Sequence, residues 1–403
     1  MKPPYLRCIS CGSEWGGDEI VYTCPKCGSL LEVVLPSLEE MDGRAVAALW
    51  SGREQTMWRY REVLPVDKAV VSLREGGTPL YEASAAARWA GVKKLYVKFE
   101  GMNPTGSFKD RGMSVAVSKA VELRKRVVVC ASTGNTSSSM AAYAAAAGLK
   151  AVVVVPKSGI AAGKIFQTIL HGAQTVQIPE GFDKALSTVI SAALGSEAYL
   201  LNSVNPWRIE GQKTLAYELW SDLGDTMFHL SVPVGNCGNI SAIWKGFKEL
   251  QTLELVNNPP RLIAVQAEGA SPFVDMVKRG DNVLRPVEKP MTIASAIRIG
   301  KPVNWTKALK AMKESEGLVE KVSDRLILEA QRVLASSVGV GVEPASAASL
   351  AGVKKLVESG DLDASETVVC VATGHALKDP NPDIIAPYLS RENVPLEKLL
   401  KSV

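Results

Sequence analysis

Short runs of β-branched and aliphatic residues alternate along most of the chain with longer amphipathic or alanine-rich segments. The runs fall at 94–99, 127–131, 151–155, 175–178, 229–234, 261–266 and 367–372. Segments with helical spacing lie between them, at 108–124, 136–147, 163–171, 182–194, 206–223, 239–253, 324–337 and 344–357. Strands that alternate with helices of this length predict βαβ units, and the near-continuous apolar character of the runs predicts parallel sheets buried on both faces. Seven runs suit two sheets better than one, so the expected class is α/β. The first 38 residues have a different texture, with two cysteine knuckles around the β-favouring stretch Glu19-Ile20-Val21-Tyr22-Thr23. Residues 37–64, with Trp50 and Trp58 among scattered charges, read as a mostly helical connecting arm.

Length sharpens this reading. At 403 residues the chain exceeds the size at which one core splits, and two domains plus a small module are expected. A 46% hydrophobic content with 22% charged residues is that of an ordinary globular protein. The formal net charge of +4 gives no reason to expect nucleic acid or an anionic membrane as a partner. The longest aliphatic stretch, 151–155, is far too short to cross a bilayer, and Met1-Lys2-Pro3-Pro4-Tyr5 lacks an apolar signal region. A soluble, cytoplasmic protein is the expectation.

Four of the seven cysteines crowd into the first thirty residues as two C-x-x-C pairs. Cys8, Cys11, Cys24 and Cys27, with a glycine after each pair, have the spacing of a tetrahedral, structural zinc site in a ribbon-like knuckle. Free thiols or a redox pair would fit the same letters. Cys130, Cys237 and Cys370 stand alone near strand ends. A zinc-ribbon protein that binds nucleic acid would be basic, whereas Glu14, Asp18, Glu19 and Glu32 offset Lys2, Arg7 and Lys26.

The chemistry-bearing segments all sit where a strand gives way to a helix. In Asn103-Pro104-Thr105-Gly106-Ser107-Phe108-Lys109-Asp110-Arg111-Gly112, a turn precedes a helix that Ser107 can cap. Lys109 then lies in the first helical turn, where the helix dipole favours the neutral amine that a Schiff base requires. A surface lysine paired with Asp110 would read the same way. The segment 127–137 ends a buried strand in Ser132, Thr133, Asn135 and Thr136 at a helix N-terminus, suited to a carboxylate. In 230–241 the glycines of Gly235-Asn236-Cys237-Gly238-Asn239 let backbone N–H groups cradle a phosphate. That loop is not G-x-G-x-x-G, which counts against a dinucleotide. A fourth strand, 367–372, ends in Thr373-Gly374-His375.

Together with Asn202-Ser203-Val204-Asn205-Pro206-Trp207-Arg208, these segments resemble, in order and spacing, the fold-type II pyridoxal-phosphate enzymes, and within them the threonine synthases. The resemblance covers roughly residues 75 to 380. It implies a two-domain, tryptophan synthase β-like α/β fold, each domain a parallel-type sheet flanked by helices, with an N-terminal zinc-ribbon-like module. The expected division is 1–38 for the module, 39–74 for the arm, 75–109 with 203–403 for a large cofactor-binding domain, and 110–202 for a small domain.

The resemblance also implies roles. Lys109 would hold pyridoxal 5'-phosphate as a Schiff base, with Asn135 at the ring oxygen. Gly235, Asn236, Cys237, Gly238 and Asn239 would hold its phosphate, and Thr373 its pyridine nitrogen. Ser132, Thr133 and Thr136 would take the substrate carboxylate. Asn202, Ser203 and Arg208, helped by Asn236, would take the substrate phosphate. The implied reaction converts O-phospho-L-homoserine and water to L-threonine and phosphate, with Lys109 moving protons at the α and β carbons, and the implied assembly is a homodimer. An enzyme acting on O-phosphoserine (cysteate synthase-like) differs by one methylene and stays open. A serine/threonine dehydratase is disfavoured by the phosphate-gripping stretch. Ala376 stands where the family pattern has glycine. His171, His229 and His375 share no ligand spacing.

Overall fold

The computed structural model describes residues 3–66, 68–156, 162–178, 189, 193 and 197–380. Three short strands, β1 (Tyr5–Cys8), β2 (Glu14–Gly16) and β3 (Leu31–Val34), form an antiparallel sheet in the order β2-β1-β3. The β-favouring segment 19–23 is not one of them, and pairs only through an isolated bridge between Thr23 and Leu30. Its apolar side chains serve docking instead. Tyr22 is buried, and its hydroxyl accepts a hydrogen bond from the Leu200 N–H at 2.8 Å.

The arm holds α1 (Gly43–Ser51), capped by the Asp42 carboxylate, between 3₁₀ turns at Pro36–Glu40 and Met57–Val63. Trp50 is buried there, edge-on to Tyr60 and Tyr217. The chain then runs through β4 (Leu80–Glu82), α2 (Ser84–Ala90), β5 (Lys94–Phe99) and α3 (Lys109–Glu122). Next come β6 (Val127–Ala131), α4 (Asn135–Ala146), β7 (Lys150–Pro156), α5 (Ala162–Leu170), β8 (Gln174–Ile178) and β9 (Ala198–Leu200). The return passes α6 (Trp207–Gln212), α7 (Thr214–Leu223), β10 (His229–Pro233), α8 (Gly238–Thr252), β11 (Arg261–Ala267) and α9 (Pro272–Lys278). It ends with α10 (Trp305–Glu314), β12 (Leu318–Val322), α11 (Asp324–Val333), α12 (Pro344–Ser359) and β13 (Thr367–Ala372).

Two further sheets result. One has six strands in the order β12-β11-β10-β13-β5-β4, parallel except for β4; the other has four, β8-β7-β6-β9, all parallel. This is the expected α/β arrangement, and β10 is buried at all five positions, as a strand covered on both faces must be. All seven expected runs are strands to within one residue at either end. The helix expected at 206–223 is split at Lys213 into α6 and α7, and the one expected at 182–194 lies outside the described residues apart from 189 and 193. Among the described residues no helix is long and apolar enough to cross a membrane.

Candidate active site

In parallel sheets the backbone breaks into loops at the carboxyl ends of the strands, and ligands bind there. The loops after β5, β6, β9, β10 and β13 line one cleft of about 1030 Å³, and every candidate cofactor and substrate residue is on its wall. Lys109, Ser132, Asn135, Asn202, Gly235 and Thr373 thus meet although up to 264 residues separate them (373 minus 109).

Lys109 is the first residue of α3. Its Nζ lies 4.1 Å from the centre of the Phe108 ring and has no hydrogen-bond partner among the described residues. Burial pushes this amine down to about 7; the Arg208 charge pushes the same way and Glu343 opposes. Asp110 is no surface partner for it. That carboxylate is buried and accepts from the Thr105 N–H at 2.7 Å, the Thr105 hydroxyl at 2.6 Å and the Ser139 hydroxyl at 2.5 Å. The expected cap by Ser107 is not made: α3 starts without a side-chain cap, and the Ser107 hydroxyl is buried without a partner. The turn is held by backbone instead, through the Ser107–Gly374 bridge and the Phe108 N–H on the Thr373 carbonyl at 3.0 Å.

Ser132, Thr133 and Thr136 lie around the N-terminus of α4, where the Ser132 hydroxyl accepts from the Gly134 N–H at 3.2 Å. Asn135 donates to both Glu343 oxygens, at 3.2 and 3.0 Å. After β10, Cys237 adopts a left-handed conformation (φ 62°), a strained choice for a side chain and one concentrated at functional loops. Asn236 donates to the Ser203 hydroxyl at 3.1 Å and accepts from the Val303 N–H at 2.9 Å. The Asn239 amide nitrogen is buried without a partner. A Cβ on Gly235 would stand 2.9 Å from the Ile297 Cα, so only glycine leaves this loop its closeness to the opposite wall.

Arg208 is buried; Nη1 reaches the Leu201 carbonyl at 3.3 Å, Nε has no partner, and it forms no ion pair among the described residues. Asn202 lines the cleft but is occupied at both ends of its amide by the N–H and carbonyl of Ala131, each at 2.9 Å. The Thr373 hydroxyl sits 2.9 Å from that of Ser346 and 3.4 Å from Glu343 Oε1.

Sequence reasoning missed Glu343, Lys378 and the wall formed by Arg298, Lys301 and Asn304. The last group lies in irregular chain between β11 and β12, where no periodicity signals a role. Lys378 falls inside a segment already singled out, the one that follows β13.

Away from the cleft, the Sγ atoms of Cys8, Cys11, Cys24 and Cys27 lie within 4.8 Å of one another, with Cys8–Cys27 and Cys11–Cys24 at 3.5 Å.

Comparison with known proteins shows the family. The family model for "Pyridoxal-phosphate dependent enzyme" matches residues 71–374. The threonine synthase of Methanocaldococcus jannaschii is 49% identical over 394 residues, covering 97% of this chain and 96% of that protein. The one of Methanosarcina acetivorans is 49% identical over 378 residues, covering 93% and 92%. Among solved structures, a fungal L-serine ammonia-lyase from Rhizomucor miehei superposes with a TM-score of 0.65 at 23% identity, covering 78% of this chain and 98% of that one. Maize serine racemase gives 0.64 at 22% identity, covering 80% and 92%. At that identity the last two speak for the fold alone.

Proposed function

Since the chain belongs to the pyridoxal-phosphate-dependent enzyme family, we propose that it is a lyase of the threonine synthase type, converting O-phospho-L-homoserine and water to L-threonine and phosphate. The support within the cleft is the meeting of a buried amine and a buried guanidinium. Among the described residues Lys109 has no hydrogen-bond partner, and Arg208 is buried with no carboxylate to balance it. An amine held down to about 7 offers a large neutral fraction to an aldehyde, and a guanidinium without a counter-ion is ready for a phosphate.

The residues present fit the cofactor. The orphaned polar atoms that face the cleft, Asn239 Nδ2 and Arg208 Nε, are what a bound polar group would complete. Lys109 would hold the aldehyde carbon, Asn135 the ring oxygen, Thr373 the pyridine nitrogen, and Gly235 to Asn239 the phosphate. Bound there, pyridoxal phosphate supplies an electron sink for the charge that develops at the substrate's α carbon. Lys109 Nζ would take the α proton and then one from the β carbon, so that phosphate can leave from the γ carbon; the γ carbon then gains a proton, water adds its hydroxyl at the β carbon, and the α carbon is reprotonated. Ser132, Thr133 and Thr136 orient the substrate carboxylate at the N-terminus of α4. Arg208, Ser203 and Asn236 grip the phosphate that leaves from the γ carbon. Asn202, spent on Ala131, serves this grip by fixing the loop that carries Ser203.

Cys8, Cys11, Cys24 and Cys27 would hold zinc. Zn–S bonds of about 2.3 Å in a tetrahedron place sulfurs roughly 3.8 Å apart, close to the 3.5 Å separations here. Four thiolates leave no open position, so the role is structural.

The test is phosphate release from purified holoenzyme with phosphohomoserine, phosphoserine and threonine as alternative substrates. Release from phosphohomoserine with threonine as product is expected, and Lys109→Ala should remove both turnover and the near-visible absorbance. Preference for phosphoserine would transfer the chain to the cysteate synthase-like reading; full activity in Lys109→Ala would refute the assignment of the lysine.

A further inference from the structure

Glu343 sits at the meeting point of the two sheets' loops, with 2% of its surface exposed, and its carboxyl does not cap α12, the helix it precedes. It turns into the cleft. Its two oxygens accept from Asn135 at 3.2 and 3.0 Å, and Oε1 is 3.4 Å from the Thr373 hydroxyl. The glycine at 374 makes room for it, because a Cβ there would stand 2.6 Å from Oε1. No lysine or arginine forms an ion pair with it among the described residues. A carboxyl built into such a place touches the two residues read above as contacts of the cofactor's ring oxygen and ring nitrogen.

Thr373 has one hydroxyl proton. Donated to a Glu343 carboxylate, it is lost to anything else that Thr373 faces. A neutral Glu343 reverses the bond: its O–H donates to Thr373 while its carbonyl still accepts from Asn135, and with the Ser346 hydroxyl, 2.9 Å away, also donating to Thr373 the Thr373 proton is free. We propose that Glu343 is a positioning residue which, in its neutral form, orients the Thr373 hydroxyl toward the cofactor's ring nitrogen and holds Asn135 toward the ring oxygen. This rests on the reading of Lys109, Asn135 and Thr373 as cofactor contacts.

Electrostatics supports it. Burial pushes the Glu343 carboxyl up to about 7, and Asp379 adds to that; Asn135, Lys378 and Lys109 pull the other way. The sign is definite. The neutral form is present below that value and is lost as pH rises through it, so Glu343 imposes an alkaline limb while the need for a neutral Lys109 imposes an acid limb.

The decisive variant is Glu343→Gln, which keeps the shape, still accepts from Asn135 and donates to Thr373, and cannot ionise. The readouts are the near-visible absorbance of the bound cofactor across pH 5.5–9, cofactor affinity by fluorescence, and kcat over the same range, with melting temperature as the control for folding. In wild type, kcat should fall about tenfold per pH unit above the alkaline midpoint, with the cofactor spectrum changing at the same midpoint. Glu343→Gln should lose that limb in both readouts and hold the cofactor as tightly as wild type at low pH. In a Thr373→Val background the exchange of Glu343 for Gln should leave the spectrum's pH dependence unchanged. Identical alkaline midpoints in wild type and Glu343→Gln would overturn the proposal, as would an equal shift in the Thr373→Val background. A wild-type protein that takes up no cofactor would overturn the functional reading beneath it as well.

Discussion

A guanidinium held away from water without a carboxylate costs stability, and a chain keeps one only where something outside the fold compensates. Arg208 is in that position: burial holds it down to about 10 against a small opposing pull from Cys130, and among the described residues its one hydrogen bond is a long one to the Leu201 carbonyl. Replacing it with methionine should therefore separate function from stability. Loss of two charge-assisted bonds to a phosphate, at about 1.5–3 kcal/mol each, lowers kcat/KM by roughly 10²–10⁴, while the melting temperature holds or rises. A lysine at this position keeps the charge without the planar fork and should recover only part of the loss. A melting temperature that fell along with activity would show Arg208 to be a structural residue, and kinetics beside calorimetry decides. That Arg208 and Lys109 would face one cleft was legible because each lies in a motif whose letters carry its chemistry. Glu343 was not, since the acid before Pro344 reads as an ordinary helix start, and its partners Asn135 and Thr373 are 208 and 30 residues away. Ser107 was misread for a related reason: its backbone is committed to the end of β13, a pairing that no local pattern announces.

Lys109 and Arg208 can face one cleft because the helices that carry them, α3 and α6, touch backbone to backbone. A Cβ on Gly211 would lie 1.8 Å from the Arg111 carbonyl oxygen, and one on Gly112 would lie 2.8 Å from that of Arg208. The crossing is clamped by buried charge, with Arg111 bridging Glu100 and Glu218 at 2.6 Å and Lys213 bridging Glu210 and Glu249 at 2.7 and 2.8 Å. Gly211→Ala must push the helices apart, since the obstacle is backbone and cannot rotate away. Overpacking of this kind costs about 1–3 kcal/mol, and a shift of the order of 1 Å between nucleophile and anion site costs about 10²-fold in rate. Both a lower melting temperature and a lower kcat/KM are expected; wild-type values for either would mean that the two helices are free to slide. The strands were legible at this scale because full burial on both faces writes an unbroken apolar run. The strands missed in this α/β body, β4, β9 and β12, include two of three residues each and two that close an edge of the larger sheet, so little of that pattern is left in them. The split of α6 from α7 was hidden because Lys213 keeps helical angles (φ −60°, ψ −23°) and only the hydrogen-bond pattern tightens, with Ala216 N–H on the Lys213 carbonyl.

At the scale of the molecule, the cysteine module is tied to both sheets that build the cleft. Its apolar residues Leu6, Tyr22, Leu31 and Val33 belong to the same core as Val128, Tyr199 and Trp207 around the four-stranded sheet. Its backbone carbonyls at Val33 and Leu31 accept from Lys245 on α8 at 2.7 Å and Lys307 on α10 at 2.6 Å, beside the six-stranded sheet. Lys245 also binds Glu210, two residues from Arg208 on α6. A metal holding the knuckles would thus hold, through Lys245 and Trp207, the helix that carries Arg208, the proposed phosphate clamp. If the knuckles hold zinc as proposed, stripping it from reduced holoenzyme with a strong chelator should lower the melting temperature by several degrees, at about 2–4 °C per kcal/mol, and the loss should track zinc content. The larger kinetic effect should fall on KM for the phosphorylated substrate, because α6 carries Arg208, the proposed anion contact, whereas the amine of Lys109 sits on α3 and is held by the β5 and β13 ends. Restored zinc should return both values. Quantitative loss of metal with an unchanged melting temperature and unchanged KM would mean that the knuckles are held by their own packing, and that the brace onto α6 carries no load.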